Sequence, residues 1–86
     1  MIKNDKQLTV KIETTQGTWE INFEKNQKVQ EVILSVIQHF GFSQNGNYEL
    51  RLEKDPDNAL DLERTLVSYK IESGDILVFT DLGVAV

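Results

Sequence analysis

Cysteine is absent from the 86 residues, which excludes disulfides and thiolate metal sites and fits a cytosolic protein. Long apolar runs are missing too. The longest, "VIL" and "ILVF", are far too short to span a bilayer. The opening "MIKNDKQ" has no apolar stretch of the kind a secretory signal carries. Glycine occurs five times and is scattered, so no glycine-rich phosphate cradle forms. Positive charge is scarce. Lysines and acids balance over residues 1–48, so the whole net charge of −5 resides in 49–86. Such a chain repels a phosphate backbone, because nucleic-acid affinity rests on cationic contacts. A partner with a basic surface suits it better. The length allows one small domain near the lower limit for a core without cross-links. A soluble, cytoplasmic monomer is expected.

What is present is periodicity. In "LTVKIE", apolar Leu8, Val10 and Ile12 alternate with Thr9, Lys11 and Glu13, as in a half-buried strand. "TTQG" supplies turn chemistry, and "WEINFE" alternates again through Trp19, Ile21 and Phe23. Two such runs about a short turn predict a β-hairpin. The period then changes. Val29, Val32, Ile33, Val36, Ile37 and Phe40 form one stripe of an amphipathic α-helix, with Gln30, Glu31, Ser35 and Gln38 opposite. Gly41 follows as the expected C′ residue, and Phe42 is placed to fold back onto the stripe.

"YELRL" predicts a third strand through Tyr48, Leu50 and Leu52. "EKDPDNA" reads as a loop, Leu60 and Leu62 as a short strand, and "RTLVSY" as a turn or single helical turn. "SGD" makes a tight corner before the last strand. That strand's "ILVF" is apolar at four successive positions, as a central strand requires. One apolar helix stripe covers one face of one sheet. The expected fold is therefore α+β: a mixed four- to five-stranded sheet under one helix, order ββαββ, with first and last strands parallel. This arrangement is a β-grasp. Residues 8–80 are assigned to the domain, 1–7 to a flexible N-terminus and 81–86 to a C-terminal tail.

Several of these residues resemble the ubiquitin-like family. "RTLVSYKI" is similar to the family segment that runs from an RTL motif through a tyrosine to a buried isoleucine, here Arg64, Thr65, Leu66, Tyr69 and Ile71. Gly41-Phe42 is similar to the glycine–isoleucine pair that ends the ubiquitin helix. "SYKIESGDIL" also looks like the small bacterial ubiquitin-like proteins of the YukD-like type, which accompany type VII secretion. Departures from the pattern bear on function. Arg51 stands where the central isoleucine of the ubiquitin patch would fall, Thr80 replaces an apolar residue, and Val78 with Ile76 remains apolar. The usual ubiquitin readers are expected to bind poorly. No diglycine ends the chain, and Gly83 arrives earlier than that pair would.

Catalysis is not expected. His39, the only histidine, sits near the helix end, where interaction with solvent or the helix dipole accounts for it. A calcium loop starting at Asp55 would need glycine and glutamate where Leu60 and Leu66 stand. No metal or cofactor site follows. Tyr69 and Trp19 read as structural. Two features are left. Thr9, Lys11, Glu13, Glu49, Arg51, Ile76, Val78 and Thr80 should share the sheet face away from the helix, a docking surface of mixed charge centred on Lys11, Arg51, Ile76, Val78 and Thr80. Leu82 and Gly83 lie in a tail whose stretch from Asp81 spans at most roughly 11 Å. The resemblance implies two roles. One is a bacterial-type protein modifier, whose tail a peptidase trims after Gly83 and an adenylating enzyme activates for conjugation. The other is a non-covalent accessory module of a larger complex such as secretion machinery.

Overall fold

In a computed structural model, described for residues 7–83, the elements follow the expected order. They are β1 (Gln7–Thr14), β2 (Gly17–Glu24), α1 (Val29–Phe40), β3 (Asn47–Leu52), β4 (Asp55–Ala59), a 3₁₀ turn (Val67–Tyr69) and β5 (Ile76–Gly83). The sheet order is β2-β1-β5-β3-β4. β1 and β5 run parallel through Lys11–Glu13 and Ile76–Val78, and every other strand pair is antiparallel. This is the β-grasp. The segment expected over 1–7 lies outside the described residues except for Gln7, which opens β1.

The alternating patterns fold as periodicity dictates. Leu8, Val10 and Ile12 are buried beneath the helix while Thr9 and Lys11 are exposed. On β5, Leu77 and Phe79 join them, and Leu50 and Leu52 come from β3. Val29, Val32 and Val36 of α1 are fully buried, Ile33 and Ile37 nearly so, and Phe40 half-buried. Each fully buried aliphatic side chain contributes about 1.5–3 kcal/mol relative to exposure. Leu34 breaks the polar face of the helix and stands 56 % exposed.

Both helix ends are closed by named contacts. The first free N–H groups have backbone partners, since Val29 donates to the Arg64 carbonyl (2.9 Å) and Gln30 to that of Leu62 (3.1 Å). The Glu31 carboxylate accepts the Lys28 N–H (3.1 Å), one half of a capping box. The 61–69 segment supplying those carbonyls is held by Tyr69. Its hydroxyl accepts the Asp61 N–H (2.7 Å), and Arg64 lies 4.1 Å over its ring. At the other end Gly41 adopts φ 75°, and the N–H groups of Gly41 and Phe42 both donate to the Ile37 carbonyl. Phe42 folds back onto the stripe as expected, its ring centroid 5.8 Å from that of Phe40, and it also stacks on Phe79 of β5 at 5.2 Å.

One element differs. The short fourth strand is Asp55–Ala59, the segment read as a loop; Leu60 follows it and Leu62 lies in a turn. All five β4 side chains are exposed, so no alternation marks the strand. It forms because backbone pairing to β3 at Arg51–Ala59 and Leu52–Asp55 suffices at a sheet edge. There Pro56, lacking an N–H, does no harm. Leu60 is buried beyond the strand, its N–H donating to the Leu50 carbonyl (2.8 Å). No helix among the described residues is long and apolar enough to cross a membrane.

Gly41→Ala tests the helix stop. A Cβ there meets nothing within 4 Å, so the whole cost is the left-handed backbone, about 1–2 kcal/mol. For a domain of this size that lowers Tm by about 4–8 °C per kcal/mol. Thermal unfolding followed by circular dichroism measures it, and an unchanged Tm would contradict the left-handed cap.

Candidate functional site

Strand alternation decides which side chains leave the core. With Leu8, Val10 and Ile12 facing α1, their neighbours Thr9, Lys11 and Glu13 take the opposite face. The same holds for Glu49 and Arg51 on β3 and for Ile76, Val78 and Thr80 on β5. Register then assembles them. Lys11 lies beside Ile76, Glu13 and Arg51 flank Val78, and Glu49 faces Thr80. All five residues expected to form the docking surface therefore meet on one face. Ile76, Val78 and Thr80 are half-buried in a line along the central strand, and Lys11 is exposed.

The charge at the centre of this face is largely spent internally. Arg51 donates from Nε (3.1 Å) and Nη2 (2.9 Å) to one Glu49 oxygen, and from Nη1 to the Pro56 carbonyl (2.7 Å). A pair this accessible is worth about 0.2–1 kcal/mol. Its larger effect is to fix the guanidinium between Glu49 and the β4 backbone. The centre of this face is thus a fixed ion pair in register with a valine. Beyond Val78 a shallow depression of about 390 Å³ opens, lined by Glu13, Thr14, Thr15, Val78, Phe79, Thr80 and Asp81.

The second expected site has a different form. Asp81, Leu82 and Gly83, read as the start of a tail, are the last three residues of β5. Gly83 faces Asn47 and Asp81 faces Tyr48, so one extra residue, Leu82, is inserted as a β-bulge. Two contacts fix it. The Gly83 N–H donates to Asp81 Oδ1 (2.8 Å), and Asn47 Nδ2 donates to the Gly83 carbonyl (3.4 Å). Gly83 has φ 88°, a conformation glycine takes without penalty, and Leu82 projects 57 % exposed. The "VAV" extension lies outside the described residues.

Trp19 and His39 form a contact that strand and helix patterns do not reveal. Their rings stack at 3.8 Å with an interplanar angle of 3°, tying β2 to the end of α1. His39 is exposed and Trp19 half-buried. The sole sequence signal is that His39 borders the apolar stripe.

No protein-family model matches the chain, and no curated protein matches it in sequence. Solved structures do match. A de novo designed protein based on ubiquitin superposes with a TM-score of 0.78 at 19 % identity, over 95 % of this chain and 96 % of that one. The fold is ubiquitin-like. The ubiquitin-like domain of an Arabidopsis thaliana protein gives 0.76 at 12 % identity, over 92 % of this chain and 81 % of that one. A chain in the phosphorylated Parkin–ubiquitin–UbcH7 complex gives 0.76 at 18 % identity over 90 % of this chain, which spans only 23 % of that larger one. At these identities the likeness is one of backbone path, so the chemistry of the ubiquitin-like face must be judged on its own residues.

The bulge yields a prediction. Asp81→Ala removes the acceptor of the Gly83 N–H and speeds hydrogen exchange at that amide by about tenfold, the order of one charge-assisted hydrogen bond. Asp81→Asn, which keeps Oδ1 as a neutral acceptor, gives an intermediate rate. Equal rates in wild type and Asp81→Ala would show that Gly83 is not held.

Proposed function

We propose that the protein is a non-covalent interaction module that docks on a partner protein through the open face of its sheet, around Ile76, Val78 and Thr80. The carrying observation is the course of β5. Residues 81–83 are paired to β3 and locked by Asp81 and Asn47 rather than free to thread an enzyme. The face offers a half-buried line bordered by Lys11 on one side and the Arg51–Glu49 pair on the other. Sheet faces and edges are how a module without a deep pocket binds. One structural neighbour sits in a multi-protein complex, which supports protein as the partner class, and the net charge of −5 favours a basic partner surface over nucleic acid. In this reading the protein is a cytoplasmic bacterial accessory subunit, resembling YukD-like proteins beside secretion machinery, and performs no catalytic step of its own.

A second reading keeps one observation in its favour. Gly83 ends β5 in a left-handed conformation behind an exposed Leu82. A peptidase cleaving after Gly83 would leave a carboxylate for an adenylating enzyme to activate and pass to a target amine, making the protein a modifier. Cleavage would require the last residues of β5 to unpair.

Two measurements separate the readings. With a photo-crosslinking side chain at Val78, a discrete protein partner is captured in the native host. The capture disappears on adding Ile76→Glu and is absent with the crosslinker at Asp57; equal capture from both positions would refute docking by this face. Intact mass of the protein from the same cells is expected to show no covalent adduct. Chains ending at Gly83 and linked to lysines of other proteins would establish the modifier instead.

A further inference from the structure

β5 outruns its parallel partner. Pairing with β1 stops at Glu13–Val78, while β5 continues to Gly83, paired on its other side to β3. The cause is local. The Thr14 hydroxyl donates to the Gly17 carbonyl (2.8 Å) and accepts the Gln16 N–H (3.0 Å), which closes the hairpin on itself and turns β1 away. Backbone groups of β5 point alternately to its two neighbours. The Asp75 carbonyl accepts Lys11 N–H on the β1 side, and the Ile76 carbonyl accepts Glu53 N–H on the β3 side. Continuing that alternation, the Phe79 carbonyl and the N–H and carbonyl of Asp81 face the side β1 has vacated. Among the described residues the β1–β5 ladder ends at Glu13–Val78, and no backbone hydrogen bond joins Thr15 to β5. The depression of about 390 Å³ lies at this spot.

Its charge is of one sign. Glu13 and Asp81 are the titratable side chains of the lining, and the other lining residues are threonines, Val78 and Phe79. Alternation sets Glu13 on the open face, with Lys11, and Asp81 on the helix side, with Phe79. The two carboxylates therefore flank the free edge from opposite faces. An extended strand also sends successive side chains to opposite faces.

We infer that this notch receives an extended segment of a partner protein carrying two adjacent basic residues. The segment adds as a short strand to the free edge of β5 at Phe79–Gly83, with one cation meeting Glu13 and the next meeting Asp81. Backbone pairing supplies affinity, and the dibasic step supplies register and selectivity. The inference rests on the interaction-module reading, for which it names the partner's chemistry.

The test uses the intact ¹⁵N-labelled protein and capped hexapeptides of valine and threonine with two lysines. In the first peptide the lysines are adjacent. In the second they are separated by one residue, so both fall on one face. The third is the first with alternate backbone amides N-methylated. The adjacent-lysine peptide is expected to shift the amides of Glu13–Thr15 and Phe79–Gly83. The other two peptides, and the Glu13→Gln and Asp81→Asn variants with the first, should bind about threefold to fivefold more weakly, the range of one lost exposed ion pair or edge hydrogen bond. Equal binding of all three peptides, shifts centred on β2 or α1, or no shift at millimolar peptide would overturn the inference. If these titrations fail while Ile76→Glu still abolishes capture at Val78, strand addition alone is wrong. If they succeed while capture is unaffected, the open-face reading is the one that falls.

Discussion

The parallel contact between β1 and β5 is the constraint on which the molecule depends. Only three residue pairs make it, Lys11–Glu13 against Ile76–Val78, yet it joins strands from opposite ends of the chain at the centre of the sheet. The corner at Ser73–Asp75 sets its register, since the Gly74 N–H donates to the Thr9 carbonyl (2.8 Å) and the Ser73 hydroxyl accepts the Thr9 N–H (3.1 Å). With that register in place, Val10, Ile12 and Leu77 fall under the helix stripe and are fully buried. Every neighbour on those strands is then committed to the other face. A one-residue slip would exchange the two sets.

The same contact shapes what a partner can meet. Because it is short, the distal half of β5 is paired on one side only, and a notch opens where the hairpin turns away. Because it is central, the half-buried line of Ile76, Val78 and Thr80 runs down the middle of the face rather than along an edge. Arg51, spent on Glu49 and Pro56, cannot offer a free guanidinium fork to an incoming carboxylate. Shared backbone path with ubiquitin-like structures at 12–19 % identity sits comfortably beside these differences. The buried pattern specifies the fold, and the face is open to change.

Legibility followed burial. The hairpin, the helix from Val29 to Phe40, its stop at Gly41 and the eight residues of the open face were readable, because each rests on a period of 2 or 3.6 imposed by one buried side. β4 was not, since a strand with five exposed side chains has no apolar period. The Trp19–His39 stack was not, because it joins residues on elements whose relative placement no local pattern records. The end of β5 was misjudged for a related reason. Asp81, Leu82 and Gly83 have the composition of an exit from a strand, and the partner that retains them, Asn47, is 36 positions away.

The sequence by itself determined the layers, the mixed sheet and the faces of its strands, because alternation and helical stripe admit one burial solution. Only the tertiary structure decided that Arg51 is neutralised, that Gly83 is held in a bulge against β3, and that β5 keeps a free edge between Glu13 and Asp81. Those outcomes turn on register and on hydrogen bonds between distant residues, and neither leaves a mark in local composition.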